Sequence, residues 1–136
     1  MERTLYDKDG NAVAYVADDY HETIYLWDGS PVAYLHEERQ VYGINGRHLG
    51  WFINDIVFNH DGERIGFTSN SCPIPIAKEP IKHKKYPMNE IRPRWEVLSL
   101  PNLEYRLADQ DLAEFLRAGQ VIHYGEEEST EESEDE

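Results

Sequence analysis

The sequence lacks most of what would declare an activity. It contains one cysteine, Cys72, so no internal disulfide is available, which suits a reducing compartment. No apolar run approaches the roughly 20 residues that span a bilayer, and the start is polar rather than a secretory leader. A cytoplasmic protein with no membrane contact is therefore expected. Basic residues are few, 13 against 27 acids, and the net charge of −14 opposes binding of a phosphate backbone, so nucleic acid is not an expected partner. P-loop, dinucleotide fingerprint, serine elbow and paired-carboxylate signatures are all missing. Nor does any CxxC or HxxxH spacing suggest a metal site, and no cofactor is implied.

What is present is a motif written four times. The copies are LYDKDGNAVAYV (Leu5 to Val16), IYLWDGSPVAYL (Ile24 to Leu35), VYGINGRHLGWF (Val41 to Phe52) and VFNHDGERIGFT (Val57 to Thr68). Asp-Gly or Asn-Gly between two β-prone runs predicts a hairpin, because a two-residue type I′ turn needs positive φ at both central positions. The turn glycines, Gly10, Gly29, Gly46 and Gly62, recur at intervals of 19, 17 and 16 residues, so the length variation falls between hairpins.

Strand alternation on such turns pairs Tyr6 with Val13 and Leu5 with Ala14. One face then carries Tyr6, Val13 and Tyr15 and their counterparts Tyr25, Val32, Tyr34, Tyr42, Leu49, Trp51, Phe58, Ile65 and Phe67. The other carries one small residue per copy, Ala14, Ala33, Gly50 or Gly66, beside Leu5, Ile24, Val41 or Val57. A lone hairpin is marginal in water, so the four are expected to close into a pseudo-four-fold ring with the small faces inward. Aromatic faces packed inward are the competing geometry.

This arrangement resembles the bacterial four-fold β-flower proteins, with VYGINGRHLGWF as its most specific stretch. The resemblance implies hairpins about a pseudo-four-fold axis in a small bacterial protein. It carries no established activity and no catalytic residues. Single copies also resemble YD-type and MORN-type repeats, less completely.

The expected organisation is mainly β: a four-hairpin domain over 1–70, a Pro-rich basic strap over 71–94, a strand–helix–strand element over 95–125, and an acidic disordered tail over 126–136. Five of the seven prolines, Pro73, Pro75, Pro80, Pro87 and Pro93, lie in the strap and favour extended chain. Interleaved Ile74, Ile76 and Ile81 suggest that it lies on the domain, and residues 78–94 carry a local +4. Trp95 to Leu100 reads as a strand. Leu112, Phe115 and Leu116 read as one face of a short helix capped by Asp109 and stopped at Gly119. Gln120 to Tyr124 reads as a final strand. The tail holds eight acids and no base.

Candidate functional residues are those the repeat does not explain. Trp27 has no aromatic counterpart in the other copies and lies near a tip, which makes it a candidate exposed contact. His21, His36, His48 and His60 fall one per repeat but at unequal positions, so scattered surface histidines are the default reading. His48 and His60 both lie near tips and are kept as binding candidates. The acidic tips lack the full ligand set of a calcium loop, and Cys72 lacks a setting that would activate a thiol.

The expected function is a non-enzymatic interaction module with another protein as partner, monomeric or homodimeric. One alternative is a small enzyme or ligand sensor with a polar site at the hairpin tips. Another is an acidic inhibitor or immunity-type protein that binds a basic partner through its tail.

Overall fold

The computed structural model describes residues 2–87 and 90–121. Eight antiparallel strands close into one barrel in sequence order. They are β1 (Arg3–Tyr6), β2 (Ala12–Val16), β3 (Thr23–Leu26), β4 (Pro31–His36), β5 (Gln40–Gly43), β6 (His48–Ile53), β7 (Ile56–Phe58) and β8 (Arg64–Phe67). Each repeat supplies one hairpin, and the pairing of Tyr6 with Phe67 joins β1 to β8 and closes the ring. Closure removes the exposed sheet edges that an open four-hairpin meander would leave.

The turns differ from the two-residue form expected of Asp-Gly. At each tip the first loop residue both donates to the fifth and accepts from the glycine: Asp7 N–H bonds Asn11 O at 2.9 Å, and Gly10 N–H bonds Asp7 O at 3.0 Å. Only the glycine has positive φ, between 78° and 98° in the four copies. This is a type I turn followed by a left-handed residue, which the longer hairpin loops use. Asp7, Asp28, Asn45 and Asn59 each lend a side-chain oxygen to backbone N–H groups within their own tip. Two successive positive-φ residues occur instead at the opposite rim, at Glu37-Glu38 and Asn54-Asp55.

The altered turn moves the register by one residue. Leu5 pairs with Ala14 as expected, but Tyr6 pairs with Ala12, and the same bulge recurs in every hairpin. The extra residue is Val13, Val32, Leu49 or Ile65. A bulge places two residues opposite one, so these side chains leave the expected aromatic face and join the interior. Val32, Leu49 and Ile65 are buried in the central cluster, with Val13 packed against it.

The small-residue faces point inward. Ala14 and Ala33 are fully buried, and Gly50 and Gly66 are buried with them. They leave room for α1 (Leu112–Arg117), whose Leu112, Phe115 and Leu116 enter the barrel from the turn-bearing end. A Cβ on Gly66 would lie 3.1 Å from Leu112 Cδ1, tighter than normal packing. The N-cap position is Asp111 rather than Asp109, and its side chain makes no capping hydrogen bond.

The aromatic faces are buried too. Tyr15, Tyr25 and Trp27 form one outer layer, Tyr34, Tyr42 and Ile44 a second, and Ile56, Phe58 and Phe67 a third. Outside them, the described residues between 72 and 107 form no helix or strand beyond the single bridge of Leu107 to Arg64. The strand expected at Trp95 to Leu100 is absent because its backbone partners are turns, not a neighbouring strand. The chain instead touches the four tips in succession. Ala77, Tyr86, Trp95 and Glu104 donate their N–H to the carbonyls of Gly10, Gly29, Gly46 and Gly62 at 2.8, 2.9, 2.8 and 2.8 Å. The donors are spaced every nine residues. So are the carbonyls of Pro75, Lys84, Pro93 and Asn102, which sit over the same glycines. A Cβ on those glycines would lie 2.1 to 2.4 Å from these oxygens. The tail from 126 and most of the expected final strand lie outside the described residues.

Candidate functional site

The histidines expected to be scattered are partly brought together. β6 begins with His48, and the fourth tip carries His60, so neighbouring hairpins set the two rings side by side. The rings stack at 5.3 Å with a 7° interplanar angle, and His48 Nδ1 lies 3.1 Å from His60 Nε2. On its other side His48 Nε2 is 2.7 Å from Gln40 Oε1. An amide oxygen only accepts, so His48 carries its proton on Nε2 and accepts at Nδ1 from His60. Gln40, His48 and His60 form a directed chain from the sheet to the exposed ring of His60.

His48 is buried between Tyr42 and Trp51, each meeting it edge to face at 5.1 and 4.9 Å. Burial, aided by His60, lowers its pKa from 6.5 to about 4, so the ring is neutral near pH 7. A neutral ring on a relay can pass a proton or hydrogen-bond a ligand, but it cannot anchor an anion by charge. The pair borders an open cleft of ≈ 280 Å³ lined also by Arg47, Asn59, Asp61 and Gln110. Among the described residues no serine, threonine or cysteine lines it, so the relay faces none of these nucleophiles there. Among the described residues no group of three or more His, Cys, Asp or Glu could hold a metal.

His21 and His36 lie apart from this pair, at the opposite rim, in an open cleft of ≈ 470 Å³ with Tyr34 and Arg94. There Arg94 donates to Tyr34 Oη at 3.3 Å, and its guanidinium lies 5.9 Å from the Tyr42 ring centre.

Trp27 was expected to be an exposed contact. It is half-buried instead, its ring 5.0 Å from that of Tyr15. Its carbonyl accepts from His83 N–H, so this tip is tied to the outer chain. The Tyr15 hydroxyl and the Trp27 indole N–H are both buried without a hydrogen-bond partner among the described residues. Lys82 Nζ lies 4.5 Å from the Tyr15 ring centre, and Lys85 Nζ lies 5.2 Å from that of Tyr25. The sequence places these lysines in the basic strap, but nothing in the hairpin motif points to their contact with Tyr15 and Tyr25. Gln40 was missed for the same reason. Only the nine-residue spacing of the outer chain against the hairpins could have placed Lys82 to Lys85 at the second tip.

Cys72 is half-buried, with its Sγ 3.7 Å from Asp7 O. No helix among the described residues is long and apolar enough to cross a membrane.

No curated protein and no solved structure matches the chain. The family model described as 4-fold beta flower protein matches residues 3–116, which spans the eight strands, the outer chain and nearly all of α1. With that match covering well over half of the sequence, the chain belongs to the 4-fold beta flower protein family.

Proposed function

We propose that this chain is a non-enzymatic protein-binding module that docks through the outer side of the chain between Trp95 and Leu107. The observation that carries the reading is the exposure of large apolar side chains there. Trp95 is 59% exposed, Leu98 51% and Tyr105 87%, with Val97, Leu100 and Leu103 above two-fifths. Isolated exposed apolar residues are ordinary, but a run of six within eleven residues of sequence fits a contact surface. Aromatic anchors beside Arg94 and Arg106 match the composition of binding hot spots. The half-buried lone Cys72 suits a cytoplasmic working site.

The test is photo-crosslinking from position 105 in host cells, followed by titration of the captured protein. The Leu98→Asp, Tyr105→Ser variant is expected to bind that protein at least about tenfold more weakly. Equal affinity, with the fold intact by circular dichroism, removes this face as the docking site.

A second reading is a ligand sensor at the His48–His60 cleft, favoured by the convergence of two histidines, Arg47 and Asp61. Its test is a panel of nucleotides, sugars and amino acids followed through the His60 ring resonances. Saturable shifts that vanish in His60→Ala support it, and silence across the panel removes it.

A further inference from the structure

The outer layer at the second tip holds donors without acceptors. Tyr15 is 1% exposed, yet among the described residues its hydroxyl has no partner, and the buried indole N–H of the adjacent Trp27 has none either. Leaving a buried donor unpaired forfeits its bond to water without replacing it, so two in contact need a reason. Above them stand two ammonium groups. Lys82 lies over Tyr15, and Lys85 lies 6.0 Å from Tyr15 and 5.2 Å from Tyr25. The wall is therefore rich in donors and positive charge.

One acidic group answers it. Glu2, immediately before β1, pairs through Oε1 with Lys82, and its Oε2 lies 3.8 Å from Lys85 Nζ. Burial first, and then the Glu2 charge, raises the Tyr15 pKa, so the hydroxyl remains a protonated donor at neutral pH. The Glu2 carboxylate engages the lysines but leaves the Tyr15 and Trp27 donors unused. All three charged side chains are about one-third or more exposed, so this ion pair is a weak closure.

We propose that Tyr15, Trp27, Lys82 and Lys85 form a binding site for a carboxylate-bearing ligand, such as an acidic peptide side chain, and that Glu2 is its internal occupant. An incoming carboxylate displaces Glu2, takes over both ammonium groups, and reaches the two donors that Glu2 leaves unpaired. Charge-assisted bonds to Lys and to a buried hydroxyl are stronger than neutral ones, which favours this exchange. The site is separate from the apolar docking face between Trp95 and Leu107 and does not depend on it.

The test uses the full chain labelled with ¹⁵N, with the Trp27 indole resonance assigned by comparison with Trp27→Phe. Wild type, Glu2→Gln, and Glu2→Gln with Lys82→Met and Lys85→Met are titrated with a capped glutamate peptide and, separately, with inorganic phosphate. The expected result is a saturable Trp27 shift with the peptide, roughly tenfold tighter in Glu2→Gln because the competing carboxylate is gone. The lysine variant is expected to lose the shift while keeping the folded spectrum. No saturable shift in Glu2→Gln overturns the proposal. So does an equal shift in the lysine variant, or saturation by phosphate alone.

Discussion

The hairpins and the outer chain repeat the same four-fold plan in different chemical terms. Each hairpin declares itself by side chains: an aromatic residue, Asp or Asn, a glycine, then a small residue. The outer chain meets the same four tips every nine residues, yet Ala77, Tyr86, Trp95 and Glu104 share no side-chain property. The reason is the kind of group used. The tips need a left-handed residue with no Cβ, and only glycine supplies both without strain. The outer chain contributes a backbone N–H, which any residue other than proline can provide, and a backbone carbonyl, which every residue has, Pro75 and Pro93 included. Repetition encoded in backbone contacts leaves little trace in composition.

Breaking the glycine side of this contact is expected to have the largest effect. Gly46 has φ +94°, and a Cβ there would lie 2.2 Å from Pro93 O. Gly46→Ala would strain the turn and lift the outer chain from its carbonyl, at a cost of about 3 kcal/mol. Urea denaturation followed by tryptophan fluorescence measures it, and a cost under about 1 kcal/mol would show that the contact is dispensable.

A smaller effect tests whether the barrel's outer layer has a pH dependence that the backbone contacts lack. His48 titrates near 4 in the fold and near 6.5 when unfolded, so the unfolded chain binds the extra proton between those values. Its contribution is fully present above about pH 6.5 and is lost as the pH falls towards 4, by roughly 2.5 kcal/mol between pH 7 and pH 4.5. The stability difference between pH 7 and pH 4.5 should therefore shrink in His48→Gln. An identical pH profile in the two proteins would place His48 in a far more solvated setting.

The smallest expected effect isolates the backbone of the outer chain. Ala77→Pro removes the N–H that bonds Gly10 O and should cost about 1 kcal/mol, whereas Ala77→Ser keeps the bond and should stay within about 0.5 kcal/mol. Equal effects would contradict a backbone-encoded repeat. Hydrogen exchange at residue 77 provides an independent reading, with equal protection expected in wild type and the Ser variant.

The candidate site was legible in part. His48 and His60 could be placed near tips from their distance to Gly46 and Gly62, but their contact depends on which hairpins adjoin. Gln40, on the preceding strand, gains its role only through the register of β5 against β6. Trp27 stood out by lacking counterparts, yet its burial follows from the outer chain crossing its tip. The one-residue register error has a local cause. Asp-Gly satisfies both a two-residue turn and the longer turn that ends on a left-handed glycine, and the sequence pattern does not separate them.

What the sequence by itself determined was the number of hairpins, their division into a small-residue face and an aromatic face, and the apolar face of α1. Periodicity two, turn glycines and helical spacing are local properties, and local properties are written in adjacent residues. Tertiary structure alone decided that the small faces line the interior, the bulges that sent Val32, Leu49 and Ile65 inward, and the passage of the described residues between 72 and 107 over the tips. It also decided which polar groups meet, setting His48 against His60 and Lys82 over Tyr15. These depend on contacts between residues far apart in the chain, made largely by backbone groups that every sequence possesses.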